Sequence, residues 1–279
     1  MAGSRKVLKA TTPKKEFDMA KGATAICERM LYVHLLPELV SPGRLAGSIV
    51  VVTDVLRAST TIVHALAAGC CSVRPCADIE EAQRLADGMK AGKVILAGER
   101  GGEKIAGFDR GNSPREFSPC NCKGCTLVLT TSNGTKALLR STEAERVLVA
   151  GFINFSAVCE QVRCDPRPLH ILCAGSEGEP SLEDTLLAGA FVECLCDHYE
   201  LQLNDSARLA WDCFENHGHV LASTMELGRG GQTLKRLGFD EDIKLAAEVD
   251  KLTIVPELRR DPLRVEIGCV SILKNCWPK

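Results

Sequence analysis

The sequence predicts an α/β protein: a largely parallel or mixed sheet with helices on both faces, in three αβα layers. Three observations carry that prediction. Short β-branched runs such as Ile49-Val50-Val51-Val52 are apolar without alternation, the pattern of a strand buried on both sides. Such runs alternate with segments of helical period from about residue 48 onward, as βα units require. Polar segments come directly after the runs, where open α/β sheets bind ligands.

The first 28 residues carry Arg5, Lys6, Lys9, Lys14, Lys15 and Lys21 and read as a flexible N-terminal extension. Residues 29–279 read as one α/β domain, with room for a helical subdomain near 181–249. A strand is expected over 48–53, then an Ala-rich helix from Arg57 to Ala68 closed by Gly69. A weaker strand covers 72–75, and Asp78 caps a helix running to Met89. Strands over 93–97, 126–131, 146–150 and 169–174 come next, with a structureless glycine-rich loop over 98–113 and helices after Asn133 and near 154–163. Ser181 to His198 places Leu186, Leu187, Ala190, Phe191, Cys194 and Leu195 on one stripe, and Ser181 with Asp184 reads as a capping-box variant. Residues 205–249 read as two or three helices, and short strands near 252–255 and 264–270 complete the pattern.

Composition narrows the function. A net charge of −2 lacks the basic excess of a general nucleic-acid binder. No run of 18 apolar residues and no secretory signal occur, so a cytoplasmic protein with no membrane partner is expected. The 15 cysteines are scattered through apolar stretches and read as reduced thiols acting as small hydrophobes. Cys120, Cys122 and Cys125 lack a matching second pair for zinc, and His217 with His219 reads as a structural feature of a helix end.

The chemistry lies in the segments at the carboxyl ends of the strands. Asp54 stands at the end of the first, with Arg57, Ser59, Thr60 and Thr61 at the start of the next helix. The segment Gly98 to Pro114 mixes carboxylates (Glu99, Asp109) with cations (Arg100, Lys104) and ends on Asn112-Ser113, a combination suited to metal-assisted phosphoryl transfer. Thr131-Ser132-Asn133-Gly134-Thr135 offers hydroxyls, an amide and backbone N–H groups to an anion. The doublet Glu183-Asp184 is richer in carboxylate than capping requires. The P-loop, the G-x-G-x-x-G turn, a Cys followed by Arg six residues on, Arg-His-Gly and the G-x-S-x-G elbow are all absent, and Asp54 lacks the second Asp two residues on that haloacid-dehalogenase-type phosphatases use. Carboxylates, cations and hydroxyls remain, a set that favours Mg2+ over Zn2+.

These same segments resemble the 2-phosphosulfolactate phosphatase family. The resemblance rests on Asp54-Val55-Leu56-Arg57-Ala58-Ser59-Thr60, Gly98-Glu99-Arg100-Gly101-Gly102 with Gly107 to Pro114, Thr131 to Thr135, and Leu182-Glu183-Asp184-Thr185. It implies a Mg2+-dependent hydrolase that converts (2R)-2-phospho-3-sulfolactate to 3-sulfolactate and phosphate, a step of coenzyme M biosynthesis. The partner it implies is a small anionic phosphate ester, and a homo-oligomer is compatible with it. On that reading Asp54, Arg57, Glu99 and Arg100 are catalytic. Asp54, Glu99, Asp109, Glu183 and Asp184 hold the metal. Ser59, Thr60, Lys104, Asn112, Ser113, Thr131, Ser132, Asn133, Gly134 and Thr135 bind substrate. Attack by water and attack by Asp54 both stay open. Two alternatives stand beside it: a Mg2+-dependent phosphatase of another small phosphorylated carboxylic acid, and a catalytically silent anion-binding protein.

Overall fold

The computed structural model describes residues 28–90, 93–196 and 200–268. At the centre of its sheet, β2 (Ile49–Thr53) is flanked by two parallel strands, β7 (Arg146–Ala150) and β8 (Leu169–Cys173). Its side chains alternate between two cores. Ile49 and Val51 enter one, Val50 and Val52 the other, which is why the run has no polar position. β1 (Glu28–His34) and β9 (Glu200–Leu203) extend this parallel block beyond β8.

A second parallel block orders β4 (Val94–Arg100), β6 (Thr126–Thr130) and β3 (Ser72–Pro75), with β5 (Glu103–Lys104) antiparallel on its edge. The antiparallel hairpin of β10 (Pro256–Arg260) and β11 (Leu263–Ile267) joins the blocks, β10 against β7 and β11 against β3. Among the described residues the result is one mixed sheet of 11 strands in the order β5-β4-β6-β3-β11-β10-β7-β2-β8-β1-β9.

Helices cover both faces. α1 (Ala58–Ala67) and α4 (Gly134–Arg140) bury Ile62, Leu66, Ala137 and Leu138 in the core that holds Val50 and Val52. Both touch strands of each block: α1 meets β7 and β3, and α4 meets β2 and β3. α2 (Ile79–Asp87) covers β4 and β6 through Ala82, capped by Asp78 Oδ1 accepting from Glu81 N at 2.7 Å. The short α3 (Pro119–Cys122) buries Cys122. On the other face, α5 (Phe155–Arg163), α6 (Leu182–Cys196), α7 (Asp205–His217), α8 (Leu221–Leu227), α9 (Arg229–Arg236) and α10 (Asp240–Ala246) bury residues in the core of Ile49 and Val51. No helix among the described residues is long and apolar enough to cross a membrane.

Several elements differ from the sequence expectation. β1 and β9 were not anticipated, because ERMLYVH and ELQL offer no continuous apolar run. The strand expected near 252–255 lies at Pro256–Arg260, where charged residues mask a sheet position. Residues 205–249 hold four α-helices rather than two or three. The loop over 98–113 is not structureless: β4 runs on to Arg100 and β5 folds back on it. The expected extension lies outside the described residues except for Glu28, which opens β1, and the strand expected over 264–270 is described to Ile267.

Candidate active site

The loops after β2, β4, β6 and β8 and the wall of α9 enclose a cleft of about 90 Å³. Asp54 enters it directly from the end of β2. Its Oδ1 accepts from Ala58 N at 3.0 Å, so the side chain also caps α1. Gly134 packs against it: a Cβ there would lie 2.5 Å from both Asp54 Oδ2 and Ala58 Cβ. Burial, then the charges of Asp184 and Glu99, push the Asp54 carboxyl up to about 8, against the Ala58 N–H and the Arg57 charge.

Glu99 binds the walls of the cleft together. Its Oε2 accepts from Gly102 N at 2.8 Å and from Ser132 Oγ at 3.3 Å, and its Oε1 accepts from Ser132 N at 2.7 Å. A carboxylate from β4 thereby fixes both its own turn and the loop after β6. Arg57 faces it, with Nη1 donating to Asp242 Oδ2 at 2.9 Å and Nη2 to Gly102 O at 2.6 Å. The guanidinium lies 4.5 Å from the Phe239 ring centroid. Ser132, Asn133 and Asn112 also line the cleft, and Asn112 Oδ1 is buried without a hydrogen-bond partner.

Two carboxylates sit behind this layer. Asp184 is 2% exposed; its Oδ1 accepts from Val55 N at 2.8 Å and its Oδ2 from Gly175 N at 3.1 Å. It ties the ends of β2 and β8 together rather than closing a capping box. Glu183 is equally buried, with its carboxylate against Gly228 and Gly230 and its Oε2 unpartnered. Burial raises both to about 7, helped by the charge of Glu183 on Asp184 and of Asp54 on Glu183.

The other expected residues stand further off. Arg100 turns back to Glu99 O and Thr130 Oγ1. Lys104 and Asp109 are exposed; Lys104 pairs in register with Glu99, and Asp109 accepts from Leu96 N on the middle of β4. Ser59 Oγ accepts from Asp54 N, and Thr60 Oγ1 donates to Val55 O. Thr131 and Thr135 bond reciprocally through N–H and Oγ1 at the start of α4. Ser113 Oγ donates to Asp242 Oδ1 at 2.7 Å. These hydroxyls shape the loops and do not line the cleft.

The sequence reading missed Asp242, Phe239 and the α9 residues Thr233 and Leu234, which line or support the cleft. For Asp242 a signal existed. It shares the buried side of α10 with Ile243 and Ala246, and a carboxylate on that side needs a buried partner.

Among the described residues no three His, Cys, Asp or Glu side chains are grouped to hold a metal ion. Mg2+ does not require such a cage, since one or two carboxylates plus phosphate and water suffice. Asp54 and Glu99 in the cleft, with the unpartnered Asn112 Oδ1 beside them, form an all-oxygen set. The buried carboxylates near Asp54 are short of positive charge, because Arg57 already answers Asp242. The residues present therefore fit a hard divalent cation held by few protein ligands.

The family model described as 2-phosphosulpholactate phosphatase matches residues 34–261. A protein of Caldanaerobacter subterraneus subsp. tengcongensis named "Probable 2-phosphosulfolactate phosphatase" is 38% identical over 215 residues, 77% of this chain and 89% of that one. Proteins with the same name from Thermosynechococcus vestitus and Thermotoga petrophila are 39% and 40% identical, covering 81% and 75% of this chain and 95% and 88% of theirs. With most of its length matched by that model and a site of carboxylates and a fixed guanidinium at its strand ends, the chain belongs to the 2-phosphosulfolactate phosphatase family.

Proposed function

We propose that the chain is a Mg2+-dependent phosphatase that hydrolyses (2R)-2-phospho-3-sulfolactate to 3-sulfolactate and phosphate. The observation that carries this reading is the meeting of Asp54, Glu99 and Arg57 in one cleft. The names of the relatives support the substrate. Asp54 and Glu99 would hold the Mg2+, which when bound supplies Lewis-acid charge for the phosphoryl oxygens. Arg57 neutralises a non-bridging oxygen through the donors left free by Asp242 and Gly102. Ser132 and Asn133 offer hydroxyl and amide groups to the anion. Leu56 and Leu234 close the cleft with apolar surface. Water adds to phosphorus, the ester P–O bond breaks, and the sulfolactate oxygen takes up a proton. The free thiols of Cys70, Cys122 and Cys173 suit a reducing cytoplasm.

The test is phosphate release from sulfonate and non-sulfonate phosphate esters, with and without Mg2+, for the wild type and Glu99→Gln. We expect Mg2+-dependent release, highest kcat/KM on the sulfonate, and a fall of about 100-fold in the variant. Metal-independent release, or a fully active Glu99→Gln, would remove the reading.

A further inference from the structure

Asp242 is 185 residues from Arg57 in sequence and follows no strand of the sheet. It is 1% exposed, and both its oxygens are engaged, one by Arg57 and one by Ser113. Gly102 O holds a second nitrogen of the same guanidinium, and the Phe239 ring covers its face. The plane of the Arg57 head is thus set from the β4–β5 turn, from Ser113 through Asp242, and from the start of α10. Leu237 closes the arrangement: a Cβ on Gly102 would lie 2.8 Å from its Cδ1. A buried ion pair adds little net stability compared with an apolar pair of the same volume, so stability alone is a poor account of it. Orientation is a better one, because a guanidinium binds phosphoryl oxygens through donors in a fixed fork.

We propose that Asp242 is the positioning residue for Arg57: with Ser113 and Phe239 it aims the remaining guanidinium donors into the cleft, where they meet the phosphoryl group. This role belongs to α10, outside every strand-end loop, and gives Ser113 a supporting part in place of substrate contact. It rests on the phosphatase reading for its kinetic assay, and on phosphate binding for an independent one.

The experiment uses the full chain with Mg2+. It measures kcat and KM for phosphate release and Kd for inorganic phosphate by calorimetry in the wild type, Asp242→Asn, Ser113→Ala, Arg57→Lys and the combined variants. Asp242→Asn should lower kcat/KM by about 10- to 100-fold and weaken phosphate binding, with Ser113→Ala moving both values the same way by less. In the Arg57→Lys background the loss from Asp242→Asn should shrink below about threefold, because the two residues act as a unit. A merely structural role would lower the active fraction, leave phosphate Kd unchanged and add fully to Arg57→Lys; that result overturns the proposal, as does wild-type behaviour of Asp242→Asn. Should Asp242→Asn fail to fold by circular dichroism, the Ser113→Ala and Arg57→Lys cycle decides by the same criteria. A wild type that binds phosphate but hydrolyses no ester removes the phosphatase reading and leaves the phosphate Kd values to judge this one.

Discussion

Away from the cleft, His34 on β1 and His170 on β8 form a buried imidazole pair, with His34 Nε2 and His170 Nδ1 2.8 Å apart. They are 9% and 2% exposed, and their rings lie nearly parallel with centroids 5.1 Å apart. Tyr32 stacks on His170, and the Arg44 guanidinium lies 4.4 Å from the centre of Tyr32. Burial first, then Arg44 with Arg140 or the facing imidazole, lowers both rings to about 4 from the usual 6.5. The folded pKa is the lower one, so as pH falls the unfolded chain takes up protons first. The stabilising contribution is complete above pH 6.5 and is lost as pH falls toward 4. A displacement of that size corresponds to about 3 kcal/mol for one ring. The shared hydrogen bond and solvent at the edge of the pair hold the total near that figure. Urea unfolding between pH 7.5 and 4.5 measures it, comparing the wild type with the double variant His34→Gln/His170→Gln. The comparison is of slopes with pH, so other titrating groups cancel. The wild type should lose about 3 kcal/mol more than the variant over this range. Parallel slopes would refute the reasoning.

Two further outcomes concern the cleft. Asp54→Asn should abolish phosphate release yet raise the melting temperature of chelator-treated protein by several degrees. The Asp54 carboxyl is raised in the fold, so its cost to stability grows as pH rises from the normal carboxylate range to about 8, and the gain should be larger at pH 8 than at pH 5; a variant no more stable at either pH would contradict this. Gly134→Ala would drive a methyl group against Asp54 Oδ2 and Ala58 Cβ. It should cut kcat by at least about tenfold while the chain still folds, because the displaced group is the cleft carboxylate; unchanged kinetics would show that the loop yields freely.

The parts of the site legible in sequence are those governed by a local rule. Asp54, Ser132 and Asn133 come just after buried strands and Glu99 stands next to last in one, and strand ends are where such sheets bind ligands. Local pattern could not say which way a side chain turns. Ser59 and Thr60 in the first turn of α1, and Thr131 and Thr135 at the start of α4, adjoin those strand ends yet bond to backbone nearby. Asp184 looked like a cleft ligand and instead joins two strand ends from behind. The buried side of α10 marks Asp242 as needing a partner, but that the partner is Arg57 depends on a contact made only when this helix docks. The fold divides the same way: β2 declares itself because it is buried on both faces, whereas β1 and β9 interleave the core residues Leu31, Val33, Leu201 and Leu203 with polar ones and offer no continuous apolar run.

The β10–β11 hairpin has a consequence for how the chain matures. It lies between two parallel blocks that are otherwise not neighbours in the sheet. Asp54 follows a strand of one block, while Glu99 and Ser132 come from the other. During synthesis from the N-terminus, both blocks emerge before the hairpin does. Until residues 256–267 arrive, the inner edges of β7 and β3 stay open to pairing with another chain. The hairpin thus acts as a late guard against misassembly, and a nascent chain stalled before Pro256 would be the species most in need of a chaperone.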